Sequence, residues 1–61
     1  MRFIQYEVWG ALDGHEELFE TFGTLKEAEA FVEDNLEFHD EMWILEDTDE
    51  DLREIRRFKG L

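Results

Sequence analysis

Three arrangements in this chain of 61 residues carry residue types that could do chemistry. The first is Asp47-x-Asp49-x-Asp51, the spacing that opens an EF-hand calcium loop. Such a loop needs glycine at its sixth position and glutamate at its twelfth. Counted from Asp47, those positions hold Leu52 and Phe58, so the run reads as an acidic turn. The second is the pair His15 and His39, each followed by acids, in HEE and HDE. A zinc site needs three or four ligands at one point, and neither HxxxH nor HExxH spacing is present, so both are expected as surface histidines. The third is the carboxylates themselves. With 18 acids in the chain, some pair must stand at the distance acid–base catalysis uses, which removes the meaning of any one pair. A small domain leaves little room for a ligand pocket of roughly several hundred cubic ångströms. The chain has neither serine nor cysteine, the commonest hydroxyl and thiol nucleophiles. Gly10, Gly14, Gly23 and Gly60 form no phosphate-cradling cluster. The expectation is a non-enzymatic protein with no catalytic residue, cofactor or metal.

Composition narrows the class further. The length suits one small domain over residues 1–61, and a domain of this size buries only about 60% of its unfolded surface. Without cysteine there is no disulfide to staple it. No apolar run approaches the roughly 20 residues that span a bilayer, and MRFIQYEVWG lacks the basic region and apolar core of a signal peptide. A cytoplasmic protein is expected. Acids outnumber bases 18 to 6, a net charge of −12. Residues 1–52 hold 17 acids against Arg2 and Lys26, and residues 53–61 hold Arg53, Arg56, Arg57 and Lys59 against Glu54. Such a surface repels nucleic acid and anionic lipid, so neither is expected as a direct partner. High net charge can also mean disorder. The 43% hydrophobic content, with six Phe, two Trp and one Tyr, argues for a folded chain.

The elements that would position these groups follow from periodicity. RFIQYEVWGAL, residues 2–12, alternates: Ile4, Tyr6, Val8 and Leu12 share one face, and Phe3, Gln5, Glu7 and Trp9 the other. That is a strand. Asp13-Gly14 is a strong type I′ turn signal, and HEELFETF returns as a second strand. A two-residue turn sets Trp9 opposite Leu18 and Val8 opposite Phe19. Thr24-Leu25-Lys26-Glu27 makes a capping box and predicts a helix from Leu25 to about Glu37, with Leu25, Ala28, Phe31, Val32 and Leu36 on its apolar stripe. EMWILED reads as a third strand. The stretch EDTDEDLREIRRFKG, residues 46–60, has two readings. As a helix over Asp49–Lys59, Thr48 caps it, acids load its first turn, arginines its last, and Gly60 stands past the end. Its apolar stripe would be thin, with Leu52 and Ile55 the only secure members. As a hairpin, it gives the third strand a partner and sets arginines across from glutamates. The expected fold is α+β: a small two-layer ββαββ domain, one helix packed on one face of an antiparallel sheet, with the helical last element as the alternative.

Two kinds of surface remain. Glu27, Glu33, Asp34, Glu37, Asp40, Glu41, Asp47, Asp49, Glu50 and Asp51 are the candidate partner-binding acids. A rigid array of carboxylates can imitate duplex phosphates and occupy the basic cleft of a nucleic-acid-binding protein, steered there by charge. Small acidic single-domain proteins made by phages against host nucleases or defence complexes have this general character. The first expectation is therefore an acidic inhibitor or decoy, a DNA mimic whose protein partner has a basic surface. The second is a self-associating adaptor or structural domain whose charge serves solubility. For it, Phe3, Trp9, Leu18 and Trp43 form the self-association face, which a two-fold homodimer would bury. In either case Arg53, Arg56 and Arg57 are expected to neutralise the fold locally. Replacing all three by glutamine should lower the thermal midpoint at low salt, and the loss should fade as salt rises; a midpoint unchanged at every salt would assign the arginines to a partner instead.

Overall fold

A computed structural model describes residues 3–60. The elements run β1 (Ile4–Leu12), β2 (His15–Phe22), α1 (Leu25–Asn35), a 3-10 turn at Leu36–Phe38, β3 (Glu41–Thr48) and β4 (Leu52–Lys59). The strands lie in the order β2-β1-β3-β4, and every neighbouring pair is antiparallel. Helix α1 packs across β1, β2 and β3 on one face. The ββαββ arrangement is the one the sequence leads to, and the last element is a strand, not a helix. Arg2, which the first strand was expected to include, lies outside the described residues.

The first hairpin turns where Asp13-Gly14 demands it, with φ of 53° and 83°, both positive as a type I′ turn requires. Trp9 pairs with Leu18 as expected, but Val8 pairs with Glu20 and not with Phe19. A bulge makes Phe19 the extra residue. The reason lies in the spacing of Phe19 and Phe22. Three apart, they would fall on opposite faces under strict alternation; one inserted residue turns both toward the core, where both pack against it. The ring of Phe19 lies so close over Gly10 that a Cβ there would collide with it, and it stands 4.8 Å from the ring of His39. The same device recurs on the opposite edge. Ile55 and Phe58 are also three apart, a bulge opposite Ile44/Leu45 separates them, and both join the core.

Helix α1 starts at its expected cap. Thr24 is extended, at φ −132° and ψ 150°, and its hydroxyl accepts the Glu27 N–H at 3.2 Å. The Glu27 carboxylate then accepts from the Thr24 hydroxyl at 3.0 Å, in place of the backbone N–H of a capping box. The α-helix ends at Asn35 rather than near Glu37, and the chain tightens into the 3-10 turn. Asn35 donates its side-chain amide to the Phe31 carbonyl at 2.8 Å, and His39 Nδ1 stands 2.9 Å from the Asn35 carbonyl. Local side-chain bonds of this kind compete with continuing the helix.

The second hairpin reuses the group that a helix would have used. The Thr48 hydroxyl accepts the N–H of Glu50 at 3.3 Å and of Asp51 at 3.1 Å, while the Thr48 N–H donates to the Asp51 carbonyl at 2.8 Å. A threonine that would cap a helix closes a β-turn. The core is Val8, Ala28, Val32, Met42 and Ile44. Because the Phe19 ring is wedged between Gly10 and His39, Gly10→Ala should destabilise the fold by about 1–3 kcal/mol through overpacking, read as a lower urea midpoint.

Candidate interaction surfaces

Among the described residues, Lys26 is the only lysine or arginine outside β4. On β4, Arg56 bonds Glu29 of α1 at 2.6 Å. Arg57 reaches Glu54 at 2.7 Å and Glu41 of β3 at 3.2 Å, and Arg53 approaches Glu46 at 3.5 Å. These exposed pairs are individually weak. Their effect is positional: β4 neutralises the acids of its own side. At the other edge, β2 carries Glu16, Glu17 and Glu20 and no cation. The outward side of α1 and the 3-10 turn after it carry exposed Glu27, Glu33, Asp34 and Glu37 with only Lys26 among them. The uncompensated charge therefore lies over β2 and the outer side of the helix.

The ten acids singled out in the sequence do not form one cluster. Glu41 pairs with Ala11 and Thr48 with Ile4, so Asp40-Glu41 and Asp47–Asp51 stand at opposite ends of β3. Seven residue steps at about 3.3 Å separate those ends by roughly 23 Å. Glu33, Asp34 and Glu37 belong with Asp40 and Glu41; Glu27, at the start of α1, belongs with the Asp47–Asp51 end. Several of these acids hold the fold together. Asp40 accepts the Asp13 N–H at 3.1 Å, Asp49 the Phe3 N–H at 3.1 Å, and Asp51 the Leu52 N–H at 2.8 Å. Asp47 accepts from the Gln5 amide at 3.0 Å. The three acids of β2 were missed. HEELFETF shows three acids and no base, but only the topology reveals that this strand is an edge.

On the sheet face away from α1, one row crosses all four strands: Leu18, Trp9, Trp43 and Arg57 are successive partners. Trp43 is only 6% exposed. The Arg57 guanidinium lies 4.4 Å from its ring centroid, a cation–π contact. The Trp9 indole N–H donates to Glu7 at 3.0 Å. Leu18 is 45% exposed and Phe3 53%. Of the four residues expected on a self-association face, two are open to solvent, Trp9 is half-buried and Trp43 is roofed over.

His39 and His15 border one shallow depression with Leu12, Asp13, Glu17 and Phe19. Among the described residues, no three His, Asp or Glu side chains converge as a metal site requires. No described helix is long and apolar enough to cross a membrane. No family model, curated protein or solved structure matches the chain, so any functional reading rests on this geometry.

Arg57 has two carboxylate partners, Glu41 and Glu54. Its hydrogen bond to Glu54 is the largest cause raising its own pKa above the ordinary value and lowering that of Glu54 below 4.5. A carboxyl depressed in the fold contributes stability above its unfolded value and loses it as pH falls through the folded one. The difference in thermal midpoint between the protein and Glu54→Gln should thus be steady from about pH 8 to about pH 5 and shrink below the ordinary 4.5. A difference that stays constant down to about pH 2 would remove Glu54 from this role.

Proposed function

We infer that the protein is a non-enzymatic, cytoplasmic protein-binding module, an acidic inhibitor or decoy that occupies a basic nucleic-acid-binding surface on another protein. The sorting of charge supports this reading. Three arginines gathered on β4 neutralise one side, through Glu29, Glu41, Glu46 and Glu54, and leave Glu16, Glu17 and Glu20 of β2 beside the acidic outer side of α1. A coat serving solubility alone has no need of such polarity. The molecule is 39 Å long, and duplex DNA carries one phosphate per roughly 1.7 Å of axis. A matching length of duplex would hold about 23 phosphates, more than the chain's 18 acids. The mimicry is therefore of a limited stretch of backbone, centred on β2 and α1.

The uncovered sheet face, with Phe3 and Leu18 exposed, supports a second reading as a self-associating adaptor. The two readings share Glu16 alone, since Glu17 and Glu20 pair with Gly10 and Val8 and so lie on the helix side of β2, which leaves the two compatible. The test of the first is affinity capture from a bacterial lysate, eluted in salt steps with and without duplex DNA. A nucleic-acid-binding protein released by duplex and by moderate salt is the expected result, and the variant Glu16→Gln/Glu17→Gln/Glu20→Gln should release it at lower salt. A partner held through high salt, indifferent to duplex and to the triple substitution, would sink the decoy reading.

A further inference from the structure

We propose that two copies stack their uncovered sheet faces on each other about a two-fold axis parallel to the strands, an inference that rests on the self-associating reading. Beside the row Leu18–Trp9–Trp43–Arg57 runs a second one, Glu16–Ala11–Glu41–Lys59. Within it Glu41 is paired with Arg57. Glu16 and Lys59 stand at its two outer ends, exposed and of opposite charge. Neither side chain makes an ion pair or hydrogen bond with the described residues. Three strand spacings of about 4.8 Å keep them roughly 14 Å apart within one copy.

A two-fold parallel to the strands lays β2 of one copy over β4 of the other, and β1 over β3. Glu16 of each copy then meets Lys59 of the other. Trp9 of each lies over the place of the other's Trp43 and meets the Arg57 that roofs it, and Leu18 lies over the aliphatic stem of the same Arg57. Aligned sheets pack about 10 Å apart with strands within roughly 30°, which keeps these central rows in register. A two-fold perpendicular to the strands would instead set Arg57 on Arg57 and lay the acidic β2 strands over each other. Joining edge to edge is opposed as well, since β2 against β2 confronts Glu16, Glu17 and Glu20 with copies of themselves. The other acids of the face keep partners within their own copy, Glu41 and Glu54 the Arg57 guanidinium, Glu7 the Trp9 indole and Asp47 the Gln5 amide, so the parallel axis joins the two charged ends left over, Glu16 and Lys59.

The area fixes the strength. Four strands at about 4.8 Å and eight residues at about 3.3 Å give roughly 500 Å² per copy. The pair buries about 1,000 Å², the lower limit for a specific interface. A weak dimer follows, opposed at low salt by −12 on each copy and tightened as salt screens that repulsion.

Sedimentation equilibrium over a concentration and salt series tests this. The expected result is a monomer–dimer equilibrium that tightens with salt. Leu18→Asp should raise its dissociation constant at least about tenfold while leaving the thermal midpoint of the dilute monomer unchanged, because Leu18 is already 45% exposed. Lys59→Glu should weaken the dimer, and the double exchange Glu16→Lys/Lys59→Glu, which keeps the net charge, should restore it to within about twofold. A single monomeric species at every concentration and salt would overturn the proposal. So would a dimer indifferent to Leu18→Asp, or a double exchange as weak as Lys59→Glu alone. Capture of a basic partner by the monomeric Leu18→Asp variant reads the acidic surface separately, so that the failure of one reading is distinguishable from the failure of the other.

Discussion

Met42, Trp43 and Ile44 are three consecutive strand residues almost wholly out of solvent, at 0%, 6% and 0% exposure. Successive side chains of a strand point to opposite faces, so β3 must be covered on both. The helix covers Met42 and Ile44. The other face carries no second layer among the described residues, and Trp43 is hidden by its neighbours in the sheet: Trp9 beside it on β1, and the Arg57 guanidinium on β4. That cover requires a strand on the far side of β3 with a long cation in register. A helix over Asp49–Lys59 would leave one flank of the indole bare. One buried tryptophan thus accounts for the central place of β3, for the final strand, and for the position of Arg57.

Local signals were legible where one residue decides the geometry. Asp13-Gly14 set the first turn, Thr24 set the start of α1, and the apolar stripe from Leu25 to Leu36 set its buried side. Signals failed where two geometries use the same group. Thr48 offers its hydroxyl to N–H groups two and three residues on, whether a helix or a tight turn follows, so the last element could be decided only by the need of β3 for a partner. The bulges were hidden for a related reason. The alternation of β4 breaks at Ile55, the inserted residue, because Glu54 pairs with Leu45 and Arg56 with Ile44. Phe19 and Phe22 on β2 repeat the pattern. A pair of apolar residues three apart in an edge strand was the available clue.

The candidate surfaces were less legible, because charge is placed by topology. Reading along the chain, Asp40-Glu41 and Asp47–Asp51 look close, yet an extended strand between them carries them to opposite ends of the molecule. Acids that look free in the sequence prove to be structural: Asp40 and Asp49 accept backbone N–H groups of Asp13 and Phe3 and so fasten the two ends of β1. A small chain without disulfides has few other ways to fix its strand ends, and a charged acceptor makes the stronger kind of hydrogen bond.

The same sorting of charge bears on how such a chain stays unaggregated. Both edge strands, β2 and β4, present unpaired backbone that could recruit another strand. Three acids line β2 and four bases line β4, so each edge repels its own copy. The arginines are already engaged inside their own molecule, by Glu29, Glu41, Glu46 and Glu54, which weakens any pull of β4 on the β2 of a neighbour. Edge-to-edge growth into open-ended sheets is thereby disfavoured from both directions. The bulges at Phe19 and Ile55 add to this, since each breaks the regular ladder of an edge. The surfaces that remain open to partners are then the flat sheet face with its tryptophan row and the outward acids of α1. The first pairs most of its charges internally around an apolar row and the second leaves its acids without cations, so salt should act on them in opposite directions.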